Sequence, residues 1–188
     1  MLRDISLHIH DLSENSITAR AGKISVTLEA RPDGFLFLEI RDNGSGMSPE
    51  MLARVEDPFT TSRTSRKVGM GIPFFKLACE TAGGTFGIES ELGVGTRTFG
   101  TMEIDNIDRL PLGDLGETVN MLLFEAPDVH FVLTLSSEKD TFVLDTDEVG
   151  EQLGGAPINE YEILQWIKEY VNENVVNIFG GILNEITC

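Results

Sequence analysis

The first hundred residues contain carboxylate and amide side chains whose spacing would let them act together in a binding or catalytic site. Asp11 and Asn15 lie one helical turn apart in a helical pattern, so we expect their side chains to project from one helix face. Asp42 follows an apolar strand pattern and precedes a glycine-rich turn. A carboxylate can accept a proton or an amine hydrogen, and an amide oxygen is a hard, neutral ligand suited to Mg²⁺.

Glycines recur where a chain could approach a flat or anionic group closely. Gly44 and Gly46 follow Asp42, and Gly69 and Gly71 precede a predicted helix. Glycine lets the backbone pass close to a ligand, and the N-H groups of a helix start favour phosphate oxygens. Neither a Walker sequence nor a dinucleotide-binding glycine pattern is present.

Four motifs follow one another in a fixed order. They are the asparagine motif at 10–15, the Asp42 to Met47 turn, the segment 57–61, and Gly69-Met70-Gly71 with Gly93 to Thr96. In this order they resemble the ATP-binding fold shared by sensor histidine kinases, DNA gyrase, the heat-shock chaperone ATPase and mismatch-repair MutL (the GHKL superfamily). The resemblance spans roughly Asp4 to Ile104.

The resemblance implies a site for ATP and Mg²⁺. Asn15 matches the metal ligand, Asp42 the acceptor for the adenine amine, and Thr96 a hydroxyl that reaches adenine through water. Met70 and Ile72 replace common leucines but remain apolar. The implied nucleotide contacts are Asn15, Asp42, Gly44, Gly46, Met47, Phe59, Thr60, Thr61, Gly69, Met70, Gly71 and Thr96. Arg63, Arg66 and Lys67 lie in the implied lid, where they either neutralise phosphate charge or are simply solvated.

Asp11 departs from the family pattern. Hydrolysing members carry glutamate at this position, as the base that activates water, and typical sensor histidine kinases carry asparagine. An aspartate keeps the carboxylate, and a hydroxyl or water nucleophile benefits from a base where a neutral imidazole does not. We therefore expect Asp11 to be catalytic, in ATP hydrolysis or in phosphorylation of Ser or Thr. The alternative is an aspartate that only shapes metal hydration.

Hydrophobic periodicity predicts alternating helices and strands. The expected helices cover 5–21, 48–55, 72–82 and 115–125, and the expected strands cover 25–29, 35–41, 85–89, 96–104, 129–135 and 141–144. Capping signals at Asp145 and Asn159 open two further helices, and the second carries a long apolar stripe. The stripe suits a core position or a homodimer contact.

These elements predict an α/β (α+β) two-layer sandwich. The sheet is mixed and carries helices on one face, as in the Bergerat ATP-binding fold. We divide the chain into an ATP-binding domain at 1–104 and a small α+β extension of unknown role at 105–188. Residues 1–104 carry 11 Lys and Arg against 14 Asp and Glu, whereas residues 105–188 carry 3 against 17.

The acidity of the C-terminal half limits its partners. Such a surface repels nucleic-acid phosphates and anionic lipid, so we expect no nucleic acid and no membrane, and a basic protein partner is the natural complement. A merely solvated acidic face is the alternative. The chain shows neither a leader pattern nor a membrane-spanning apolar run, which predicts a cytoplasmic location.

Three functions fit this sequence. The first is a signalling kinase or ATPase that acts in trans, similar to the anti-sigma-factor kinases, because the asparagine motif begins too near Met1 to leave room for a phosphoacceptor hairpin. The second is an ATP-gated binding module without phosphotransfer. The third is a regulatory subunit with a degenerate site, which the intact Asn15, Asp42 and glycine motifs count against.

Overall fold

The computed structural model describes residues 2–55 and 70–183. These ranges contain six helices and six strands. The helices are α1 (Ile5–Thr18), α2 (Pro49–Val55), α3 (Gly71–Thr81), α4 (Leu115–Glu125), α5 (Thr146–Gln152) and α6 (Tyr161–Phe179). The strands are β1 (Lys23–Ala30), β2 (Phe35–Asp42), β3 (Phe86–Glu91), β4 (Gly95–Glu103), β5 (His130–Ser136) and β6 (Thr141–Asp145).

All six strands form one sheet in the order β3-β4-β2-β1-β5-β6. Strand β5 runs parallel to β1, and every other neighbouring pair is antiparallel. The sheet is therefore mixed, which confirms the predicted fold class.

One face of the sheet carries the helices. Alternate residues of β1 and β2 are buried, and the residues between them stay partly exposed. This is the period-two pattern of a sheet covered on one side. Helix α1 packs on β1 and β2, α3 on β3 and β4, and α6 on β5 and β6. The core lies between these layers and includes Ile9, Val26, Leu38, Phe75, Leu133 and Ile167.

Helix α1 is held at both ends. Its N-cap Asp4 accepts a hydrogen bond from the Leu7 backbone N-H at 2.9 Å, which satisfies one free donor of the first turn. The buried Ser6 hydroxyl donates to the Leu112 carbonyl at 2.6 Å and so fixes the helix to the segment before α4. At its other end the chain reverses through Arg20, whose φ of 58° ends the helix earlier than the predicted Ala21.

The acidic C-terminal half adds two strands to the same sheet. Leu133 of β5 lies opposite Val26 of β1 on one side and Leu144 of β6 on the other. Helices α4 and α6 pack closely at Gly116, where a side chain would overlap the Lys168 carbonyl. The division of the chain into two domains at residue 104 stays a prediction.

The predicted start of the last helix is wrong. Asn159 does not cap it: α6 begins at Tyr161, and its N-cap is Glu160, which makes no side-chain capping bond. Ile182 lies beyond the end of α6 at Phe179, so it does not continue the helical stripe. By contrast, Asp145 caps α5, as predicted, by accepting from the Asp147 N-H at 2.9 Å.

In the described ranges, none of the helices combines the length and the apolarity that a bilayer span requires.

We predict that Leu133→Ala lowers the free energy of unfolding by about 2–5 kcal/mol, because its fully buried side chain packs in the core at the strand that pairs with β1. Urea unfolding followed by circular dichroism and by the fluorescence of Trp166 should give one coincident transition that shifts as a whole. Val143→Ala, at an exposed position of β6, is the control and should change little. Two separate transitions would instead show that residues 105–188 unfold independently.

Candidate functional site

A cavity of about 280 Å³ opens between α1, α2, α3 and the strands β2 and β4. Its apolar wall includes Leu12, Ile40, Met51, Val55 and Ile72. Its polar residues include Asn15, Ser16, Asp42, Thr96 and Thr98. A mainly apolar cavity with a few fixed polar groups is the usual form of a small-molecule site.

Asp42 ties three elements together at the end of β2. Its Oδ2 accepts a hydrogen bond from the Ser16 hydroxyl of α1 at 2.7 Å. Its Oδ1 accepts from the Gly44 N-H at 2.8 Å and from the Thr96 N-H at 3.3 Å. The carboxylate orientation is therefore fixed by the helix, the turn and β4 together.

The turn after Asp42 requires glycine at position 46. Gly46 has a φ of 63°, and a Cβ there would overlap the carbonyl of Glu91. This close approach brings the turn onto the β3–β4 connection, where the Gly93 N-H donates to the Ser45 carbonyl at 2.7 Å. The close approach that Gly46 permits here is to the protein's own backbone, and the predicted approach to a nucleotide base stays a prediction.

Ser90 joins the turn to β4. Its hydroxyl accepts from the Met47 N-H at 2.9 Å, donates to the Gly95 carbonyl at 3.0 Å and lies 2.9 Å from the Thr96 hydroxyl. The side chain of Thr96 is thus held in place at the cavity wall.

Asp11 lies beside the start of α3 and does not line the cavity. A Cβ at Gly71 would overlap the Asp11 carboxylate, so the carboxylate in its present position lies directly against the start of α3. Burial raises the pKa of Asp11; the negative charge of Glu14 also raises it, and His10 opposes both. A carboxylate with a raised pKa is better suited to accept a proton than an exposed one.

His8 lies one turn before Asp11 on the same side of α1. It is buried, it packs against Phe75 with ring centroids 5.9 Å apart, and neither ring nitrogen has a hydrogen-bond partner in the part of the chain that the structure describes. Burial lowers the pKa of His8 to about 4, although Asp4 favours the charged form. His8 is therefore a neutral core residue at pH 7.

The structure brings part of the predicted site together. Asn15, Asp42, Gly46, Met47 and Thr96 line the cavity. Gly44 adjoins it through Asp42, and Gly71 is placed against Asp11. Met70 is the N-cap of α3 and is half exposed. Phe59, Thr60, Thr61, Gly69 and the basic residues Arg63, Arg66 and Lys67 lie outside the described residues.

Sequence reasoning missed Ser16 and Ser90. The sequence pattern placed Ser16 on the core-facing stripe of α1, where it is buried but bonded to Asp42. The sequence could have pointed to Ser16, because it is a polar residue one turn after Leu12 in an apolar stripe. A buried polar group needs a hydrogen-bond partner, so such a residue is expected to contact another polar group. Ser90 gave no such signal, since its role depends on strand pairing with Thr96.

A second group of polar side chains lies at the other edge of the sheet. His130 Nε2 is 2.8 Å from Asp145 Oδ1, and His130 Nδ1 is 3.3 Å from Asp147 Oδ2. Burial opposes ionisation of Asp145, but bonds from the Asp147 N-H and His130 leave its pKa lowered overall. These contacts fasten β5 to the start of α5.

Comparison with known proteins identifies the N-terminal half. The family model for histidine kinase-, DNA gyrase B-, and HSP90-like ATPases matches residues 3–106. Sensor histidine kinase DcuS of Escherichia coli K12 is 34% identical over 93 residues, covering 47% of this chain and 17% of that protein. Sporulation kinase D of Bacillus subtilis is 35% identical over 83 residues, covering 44% of this chain and 16% of that protein. The chain thus matches only a small part of either relative.

The fold also matches a solved structure. The Aquifex aeolicus MutL ATPase domain complexed with ADP superposes with a TM-score of 0.51 at 18% identity, over 82% of this chain and 70% of that one. At this identity the match concerns the fold.

We predict that the neutral state of His8 makes stability depend on pH. The folded pKa lies below the usual value of 6.5, so stability is full above about 6.5 and is lost as the pH falls toward 4, by at most about 3 kcal/mol. His8→Leu should remove this part of the dependence in urea unfolding between pH 7 and 4.5. His10→Gln, at the more exposed neighbouring histidine, should retain it. Parallel pH profiles for wild type and His8→Leu would contradict the assignment.

Proposed function

Because the chain belongs to the family of histidine kinase-, DNA gyrase B-, and HSP90-like ATPases, we propose that its cavity binds ATP with Mg²⁺. We further propose that the protein uses the nucleotide as a protein kinase or ATPase that acts on a partner in trans, in signalling. The observation that carries the proposal is the fixed carboxylate of Asp42 at the wall of the cavity.

Asp42 has the right chemistry for adenine. A carboxylate oxygen can accept about two hydrogen bonds, and among the described residues the Ser16 hydroxyl alone donates to Oδ2. The exocyclic amine of adenine would be a second donor to that oxygen. Guanine has a carbonyl in place of this amine, and two acceptors repel one another. The cavity therefore favours ATP over GTP.

Asn15 and the start of α3 suit the phosphate end. Asn15 lines the cavity from α1, and its amide oxygen is a ligand type that Mg²⁺ accepts alongside phosphates and water. The N-terminus of α3 supplies N-H groups and a favourable dipole for phosphate oxygens. A bound Mg²⁺ would neutralise the charge that develops on the phosphates.

Asp11 is the proposed proton acceptor. In transfer to a hydroxyl or to water, the nucleophile oxygen forms a bond to the γ-phosphorus, the bond from that phosphorus to the ADP oxygen breaks, and the nucleophile's proton passes to the Asp11 carboxylate. The partly buried setting of Asp11 raises its pKa and so favours this proton uptake.

One observation supports a second candidate. Asp11 packs against Gly71 and is absent from the cavity lining, so its carboxylate has a structural contact of its own. If that contact is its main role, the protein is an ATP-gated binding module in which nucleotide changes how α3 packs on α1. The partner in either case is proposed to contact the acidic C-terminal half. Ile167, Val171 and Ile178 of the α6 stripe are buried in the core, so the stripe takes the predicted core position and offers no homodimer contact.

We predict that Asp11→Asn reduces Mg²⁺-dependent ATP turnover by about 100-fold or more, the usual contribution of a general base, with little change in nucleotide affinity. Asn15→Ala should lose both turnover and the Mg²⁺-dependent part of the affinity. Turnover is measured as ADP release, and affinity by calorimetric titration with and without Mg²⁺.

The same experiment distinguishes the kinase or ATPase from the ATP-gated binding module. Undiminished turnover in Asp11→Asn would reject the base assignment. Tight ATP binding by a wild type without turnover would favour the gated module. Absence of nucleotide binding would reject both. Glu80→Gln, at an exposed position of α3, is the matched control.

A further inference from the structure

An exposed aromatic pair lies on the outer face of α6. The rings of Trp166 and Tyr170 stack with centroids 5.2 Å apart and planes 13° apart. The two residues are 49% and 39% exposed, respectively. Phe142 of β6 meets Tyr170 edge to face at 5.2 Å, which anchors the pair to the sheet. The pair, called here the aromatic platform, is thus a rigid apolar surface open to solvent.

Glutamates border the platform. Glu162, Glu169 and Glu173 are exposed on α6. At 3.6 residues per turn, they share an arc of about 100° with Trp166 and Tyr170. One face of the helix therefore combines two aromatic rings with three carboxylates. An aromatic face and a carboxylate are the two groups that a guanidinium contacts best, by stacking and by paired hydrogen bonds.

Two arginines of the protein already occupy sites that combine an aromatic ring with a glutamate. On the open face of the sheet, the Arg31 guanidinium lies 3.9 Å from the centroid of Phe37 and bonds to Glu29 at 2.9 Å. Arg97 lies 4.1 Å from the centroid of Phe99 and bonds to Glu39. In both places an aromatic ring, an arginine and a glutamate form one unit.

The platform has the ring and the carboxylates, but the cations of its own half are engaged elsewhere. Residues 105–188 contain Arg109, Lys139 and Lys168. Arg109 donates to the carbonyls of Ile104 and Leu110, and Lys139 donates to that of Gly180. Lys168 bonds to Glu117 at 2.6 Å on the side of α6 that faces α4.

We propose that the aromatic platform and its glutamates bind an arginine-bearing segment of a partner protein. The arginine stacks on Trp166 and Tyr170, and its N-H groups pair with Glu169 or Glu173. This proposal gives a location and a chemistry to the protein partner of the proposed function, but it does not require ATP turnover.

The negative charge around the platform favours an arginine-bearing segment over a second copy of this chain or a nucleic acid. A second copy docked face to face would bring two rows of glutamates together, which is unfavourable. Nucleic acid would place phosphates on the same carboxylates. An arginine-bearing segment satisfies both the rings and the charges, in a half with 17 acidic and 3 basic residues.

The test uses the intrinsic fluorescence of Trp166, the one tryptophan of the chain. An acetylated, amidated peptide with four arginines alternating with glycine is titrated into the full chain at 150 mM salt, and a matched lysine peptide serves for comparison. We expect a saturable change of Trp166 emission, with the arginine peptide binding about fivefold more tightly, because guanidinium stacks on rings better than ammonium does.

Matched variants locate the site. Glu169→Gln with Glu173→Gln should weaken arginine-peptide binding about tenfold, and Tyr170→Leu should remove the preference for arginine over lysine. Glu148→Gln with Glu151→Gln removes the same charge from exposed positions of α5 and should change affinity less than twofold.

Three results would overturn the proposal. They are the absence of a saturable response, equal affinity for the two peptides, and equal effects of the two double variants, which would indicate diffuse attraction to an acidic protein. A dimer in sedimentation velocity that Trp166→Ala dissociates would assign the platform to a second copy instead. Failure of ATP turnover has no bearing on these titrations, so the two proposals fail separately.

Discussion

The position of the Asp42 carboxylate is the constraint on which the site depends. It receives hydrogen bonds from α1 through Ser16, from the turn through Gly44 and from β4 through Thr96. Asp42 is only half-buried, but its hydrogen bonds hold the helix, the turn and β4 against one carboxylate. The same arrangement fixes a carboxylate oxygen at the wall of the cavity. The meeting of these three elements and the proposed adenine recognition therefore depend on one group.

The rest of the molecule supports this group through continuous packing. Helix α6 packs on α4, α4 packs on α1, and α1 lines the cavity. Strand β5 of the acidic half pairs directly with β1, so both halves share one sheet and one core. The aromatic platform and the cavity thus lie on a single packed body. Such packing could couple the binding of a partner at α6 to the binding of a nucleotide at α1. A measured change in the affinity of one ligand when the other is bound would demonstrate that coupling.

The features of the fold and the site that depend on neighbouring residues in the sequence could be predicted, and those that depend on distant residues could not. Strands β1 and β2, the Asp145 cap and the limits of α4 follow from short-range patterns, and the structure confirms them. The prediction that Asn159 caps the last helix failed because a capping side chain must belong to the residue just before the first helical one. In this chain that residue is Glu160. Ser90 and the Asp11 to Gly71 contact depend on residues distant in sequence, which no local pattern encodes. For the same reason the sequence grouped Asp11 with Asn15, whereas only Asn15 faces the cavity.

Calorimetric titration of ATP and GTP into wild type and Asp42→Asn tests whether Asp42 selects adenine. The asparagine keeps the size of the side chain and an oxygen that can accept from Gly44 and Thr96, while its amide group can still bond to Ser16. We predict that the wild type prefers ATP and that Asp42→Asn loses at least about tenfold of that preference, since a hydrogen bond to a charged group contributes about 1.5–3 kcal/mol. An unchanged ratio of ATP to GTP affinity in a folded Asp42→Asn variant would contradict the account.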